Sequence, residues 1–114
     1  MRLNNELGEK GENIACEFLR RKGFTIIERN SHCRFGEIDI IAEKRNLLIF
    51  VEVKYRSGKN FGGAAYSITA SKAQKMRLSI ELWLQKHPHR GQCRADAILI
   101  EGENPPQHIE NILE

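Results

Sequence analysis

The 114-residue sequence lacks any apolar run near the roughly 20 residues a membrane-crossing helix needs. Its most apolar stretches, Ile38 to Ala42 and Leu47 to Val51, are far shorter. Residues Met1 to Lys10 mix polar and charged side chains, without the apolar segment and small-residue cleavage site of a secretory signal, so a cytoplasmic protein is expected. Cysteine is scarce: Cys16, Cys33 and Cys93 are odd in number and far apart, which suits free thiols better than a disulfide framework. His32 adjoins Cys33, and His87, His89 and Cys93 lie near one another, but no CxxC or HxxxH spacing marks a zinc site. The four histidines also lack nucleophile partners at readable spacing. Repeats and low-complexity segments are absent. Neither charge sign dominates: the formal net charge is +3 and the pI near 8.9, which permits a polyanionic partner without demanding one.

What is present is enough for one core. Apolar residues form 40% of the chain and charged residues 29%, and this length makes one domain, with a body over about residues 4–102 and a tail over 103–114. From Asn4 to Lys22, Leu7, Gly11, Ile14, Ala15, Phe18, Leu19 and Lys22 share one helical stripe, and Gly23 stands where a C′ glycine is expected. Glu12 projects about 20° from Leu19, on the margin of that stripe. Three strand-like segments follow, Phe24 to Arg29, Gly36 to Lys44 and Leu47 to Tyr55, and they read as an antiparallel meander. Arg56 to Gly63, with glycines at 58, 62 and 63, reads as a loop. A second helix, from Thr69 or Ser71 to Lys86, puts Ala73, Met76, Ile80, Trp83 and Leu84 on its core face, and His87-Pro88 closes it. Ala95 to Ile100 is a fourth strand. The order α-β-β-β-α-β predicts an α/β fold with a mixed sheet, because the fourth strand returns from a helical crossover.

Alternation along Leu47 to Tyr55 puts Glu52 and Lys54 on one face, roughly 7 Å apart at Cα. In the preceding strand Glu37, Asp39 and Ile41 share a face opposite Ile38, Ile40 and Ala42. A tight turn at Arg45-Asn46 pairs residues whose numbers add to 91, which sets Asp39 opposite Glu52 and Glu37 opposite Lys54. Two facing carboxylates repel unless a cation or a shared proton lies between them. A pair of oxygen ligands with open coordination positions suits Mg²⁺ or Mn²⁺ and hydrolysis of a phosphodiester. Lys54 would then orient water and offset charge on the phosphate. The alternative is that both acids simply face solvent from a half-exposed sheet. Glu37 is expected to pair with Lys54 rather than join the acids, and Asp96 to make a structural hydrogen bond or ion pair.

Gly36-Glu37-Ile38-Asp39-Ile40-Ile41 followed by Phe50-Val51-Glu52-Val53-Lys54 resembles the PD-(D/E)xK nuclease superfamily, with its restriction-endonuclease-like core. More closely, the sequence resembles the uncharacterised bacterial YraN-like family, similar in turn to archaeal Holliday-junction resolvases. The likeness takes in Gly11-Glu12, Arg56, Phe61-Gly62, Lys72 and Arg94-Ala95-Asp96, nearly the whole chain up to Gly102. Ile38 stands where the superfamily name expects proline. The resemblance implies that Asp39, Glu52 and Glu12 hold the metal and that Lys54 is the catalytic lysine of a DNA nuclease. A nucleic-acid-binding or interaction module with the same fold and no cleavage of its own is the second reading.

Arg56, Lys59, Lys72, Lys75 and Arg77 follow the ExK strand, where they would reach phosphates on either side of a scissile bond. Leu78 and Leu82 point away from the core face of the second helix, and the tail ends in Ile109, Ile112 and Leu113. These uncovered apolar groups, with the symmetry of resolvases as analogy, lead to the expectation of a homodimer.

Overall fold

A computed structural model describes residues 3–56 and 66–113, with side chains from Gly8 onward. Helix α1 (Leu3–Arg21) leads into β1 (Thr25–Cys33), β2 (Gly36–Lys44) and β3 (Leu47–Arg56). Helix α2 (Ala70–Lys86), β4 (Gln92–Glu101) and β5 (Gln107–Ile109) follow. The sheet order is β1-β2-β3-β4-β5, antiparallel except for the parallel pair β3 and β4 that the α2 crossover joins. The mixed α/β architecture matches the sequence expectation, with β5 added. Lys59, Phe61 and Gly62 lie outside the described residues.

Gly23, at φ +98°, ends α1 as expected: its N–H bonds the Arg20 carbonyl at 2.9 Å while the Phe24 N–H reaches the Leu19 carbonyl at 3.0 Å. The apolar stripe of α1 then buries Ala15, Cys16 and Leu19 against Ile40, Ala42, Ile49, Val51, Ile98 and Ile100. The opposite face of the sheet carries Ile38, Ile41, Leu48 and Phe50, covered by Trp83 of α2. Trp83 meets the Phe50 ring edge-on at 5.6 Å and donates its indole N–H to Glu28 at 2.8 Å. Each large side chain buried this way contributes about 1.5–3 kcal/mol. Two helices thus sandwich one sheet.

The β2–β3 hairpin pairs Lys44 with Leu47 through Ile40 with Val51, all summing to 91 as the two-residue turn requires. Arg45 takes φ 57° in that turn, and the Asn46 carbonyl accepts the Gln92 N–H at 3.0 Å. Gly91 makes this approach possible, since a Cβ there would fall 2.0 Å from the Asn46 oxygen. Far from being free, the C-terminal segment pairs as β5 with β4, and Ile112 donates to the Ala95 carbonyl at 2.8 Å.

Candidate metal centre

Strict alternation along β2 would group Ile38 with Ile40 and Ala42. Instead Ile38 packs on the α2 side with Ile41, while Ile40 and Ala42 pack on the α1 side, so the alternation breaks at Asp39. Pairing with β1 skips the same point: Arg29 meets Ile40 and Ser31 meets Ile38, with Asn30 between them at φ 54°. On the other side the β2–β3 ladder stops at Ile40 and Val51, and Asp39 Oδ2 takes the Val53 N–H at 2.8 Å. A side-chain acceptor thus satisfies a backbone donor near the end of the ladder, and the Asp39 carboxylate is held beside the neighbouring strands.

Carboxylate oxygens of Glu12, Glu37 and Asp39 all lie within 4.8 Å of one another. Glu12 comes from α1, where Gly11 lets the helix approach β3: a Cβ on Gly11 would stand 2.9 Å from the Tyr55 Cβ. Asn30 donates to Glu12 Oε1 at 3.0 Å and Arg29 at 3.4 Å, which orients the nearly buried carboxylate. Burial, then the negative charges of Glu12, Glu37 and Glu52, push the Asp39 carboxyl up to about 6, against one opposing hydrogen bond from Val53. Glu37 was expected to pair with Lys54. With no ladder pairing beyond Ile40 and Val51, it sits instead with the acids, 3.8 Å from His32 on β1.

Glu52 lies in different company. Lys72 of α2 and the Tyr66 hydroxyl both bond its carboxylate, and Lys54 stands 3.4 Å away. Burial raises the Glu52 carboxyl, but the Lys72 and Tyr66 hydrogen bonds outweigh it and hold the group below its usual range. Tyr66 had no motif to flag it. The only signal was its place three residues before Thr69, the N-cap whose hydroxyl accepts from the Lys72 N–H at 3.1 Å.

A cleft of about 550 Å³ opens between β2, β3 and the start of α2, lined by Glu37, Asp39, Glu52, Lys72 and Lys75. Acidic groups form one part of its wall and ammonium groups another. Lys75 is exposed there. Arg77 is exposed as well but does not line this cleft; its guanidinium donates to the Leu113 carbonyl at 2.7 Å and anchors the tail. Arg56 ends β3, where its carbonyl accepts the Gly102 N–H at 2.7 Å. Asp96 takes the structural role expected of it, with Arg94 at 2.8 and 2.9 Å, His108 at 2.8 Å and the Asn111 N–H at 3.0 Å.

Comparison with known proteins places residues 11–100 in a match to the model of the uncharacterised protein family UPF0102. The UPF0102 proteins of Neisseria meningitidis and Neisseria gonorrhoeae are each 50% identical to the chain over 113 residues, covering 98% of both sequences. The UPF0102 protein of Nitrosomonas europaea is 42% identical over 106 residues, 91% of this chain and 90% of its own.

Proposed function

The chain belongs to the UPF0102 family, and from its carboxylate site we propose a divalent-metal-dependent nuclease that hydrolyses phosphodiester bonds in DNA. The observation that carries this reading is the triple of carboxylates around Asp39, of which Glu37 and Asp39 line a cleft together with Lys72 and Lys75. Three carboxylates whose oxygens lie within 4.8 Å repel one another, and burial together with that repulsion raises the Asp39 carboxyl. All the donors are hard oxygens, which fits Mg²⁺ or Mn²⁺ and does not fit a thiophilic metal. Asp39, Glu12 and Glu37 would hold the ion, with Glu52 beside them. When bound, such an ion supplies a more acidic water and charge for the phosphoryl oxygens.

The chain's own residues provide the rest. Lys54, on the same strand as Glu52, places an ammonium group to orient the attacking water and stabilise charge growing on the phosphate. Lys75 and the N-terminal turn of α2, with Thr69 and Ser71 on the cleft wall, receive the flanking phosphates. Glu12, fixed by Asn30 and Arg29, keeps the acid cluster in place before substrate arrives.

Branched, nicked and linear DNA, incubated with Mg²⁺ or Mn²⁺ and with wild type or Asp39→Ala, tests the proposal. Cleavage by wild type that Asp39→Ala loses is the expected result. Equal cleavage by both would trace the activity to a contaminant. Binding without cleavage in any divalent ion would assign the chain to the second class, a DNA-binding module on a nuclease-like fold.

A further inference from the structure

Glu52 lines one cleft with Glu37 and Asp39 of the acid triple, but it is held in the opposite way. Glu12, Glu37 and Asp39 stand together, whereas Glu52 is occupied by Lys72 and Tyr66 and neighboured by Lys54. Both holders come from outside the sheet, Lys72 from the first turn of α2 and Tyr66 from the segment that enters it. Lys72 is also half-exposed to the cleft that would receive a phosphate. We propose that Lys72 and Tyr66 form a latch that keeps Glu52 from acting as a metal ligand until a DNA phosphate draws Lys72 away. This rests on the metal-dependent reading above and adds to it a coupling between substrate and ion.

An ammonium group that bonds Glu52 competes with any cation for the same oxygens. A phosphate in the cleft competes in turn for the ammonium group. DNA binding therefore frees a ligand for the ion, and the ion, by linkage, favours DNA equally. Tyr66 holds the second bond, so release is complete only when its hydroxyl also leaves the Glu52 carboxylate. Lys72 and Tyr66 are positioning residues here, acting through Glu52.

The test is calorimetric titration of Mn²⁺ into the full chain without DNA, so that catalysis is not the readout. Lys72→Met should bind Mn²⁺ about fivefold more tightly than wild type, at the low end of ordinary coupling between sites. Tyr66→Phe changes no charge and should tighten binding by less than Lys72→Met does. Lys75→Met removes a cleft charge without touching Glu52 and should change affinity less than Lys72→Met. In Glu52→Gln/Lys72→Met the gain should vanish. A phosphorothioate duplex, corrected for its own ion uptake, should tighten Mn²⁺ binding to wild type more than to Lys72→Met. If wild type binds Mn²⁺ and Asp39→Asn does not, yet Tyr66→Phe and Lys72→Met bind no more tightly than wild type, the latch is wrong and the metal site stands. No Mn²⁺ binding by any variant overturns both.

Discussion

Asp39 and Asp96 are both withdrawn from solvent on strands of one sheet, yet their surroundings are opposite. Asp96 is fully buried and faces a bidentate Arg94, His108 and a backbone N–H, and these bonds hold its carboxyl below the usual range against the opposing effect of burial. Asp39 receives one N–H and faces three acids, and burial with their charge lifts it to about 6. A carboxylate given all its counter-charge within the fold has a structural task. One left short of counter-charge, at the wall of a cleft, is set for a charge that comes from outside.

The largest expected effect falls on the compensated side. Asp96→Asn strips the charge partner from Arg94 and His108 and should cost about 3–5 kcal/mol in urea unfolding, as broken buried pairs do. The contribution of Asp96 is present above its unfolded pKa and lost as pH falls through its lower folded value, so the difference between wild type and mutant should shrink in acid.

For Asp39 the sign reverses. Its folded pKa, near 6, exceeds the reference 3.8, so the native state is penalised once pH rises above 3.8, and fully so above 6. Asp39→Asn should therefore stabilise metal-free protein by about 2–3 kcal/mol at pH 7.5 and by almost nothing near pH 3.5. Destabilisation at pH 7.5 would mean that the carboxylate is compensated after all. Glu52→Gln sharpens the contrast within the cleft: since Lys72 and Tyr66 hold that group below its usual range, the substitution should destabilise metal-free protein slightly at neutral pH.

The smallest expected effects separate two basic residues of one helix. Lys75→Ala should weaken DNA binding a few fold and reduce its salt slope by about one ion. Arg77→Ala should leave affinity unchanged and cost about 0.5–1 kcal/mol through its lost bond to the Leu113 carbonyl. Equal losses of affinity would show that the cleft does not define the DNA contact.

Much of this arrangement was legible because it follows from local rules. The two-residue turn at Arg45-Asn46 fixed the β2–β3 register as far as Ile40 and Val51, short of the expected pairing of Asp39 with Glu52, the α1 stripe placed Glu12 at its margin, and Gly23 marked the helix end. The break at Asp39 was not legible, since it coincides with Asn30 of β1, which meets β2 at a positive φ. Period-two reading has no term for a neighbour's left-handed residue. That break is why Glu37 stands with Glu12 and Asp39. Nor could spacing join Asp96 to His108, a contact that exists only because the tail pairs as β5. The same pairing removes one ground for expecting a second copy of the chain, leaving Leu78 and Leu82, which are half-buried in the single chain.

The central claim is that the cluster around Asp39 is a cation site, and calorimetric titration of Mn²⁺ at neutral pH tests it most directly. Wild type should bind the ion, and Asp39→Asn should bind at least about tenfold more weakly, because one ligand charge has gone. Equal affinity in the two proteins, or no uptake of Mn²⁺ by a folded wild type, would contradict it.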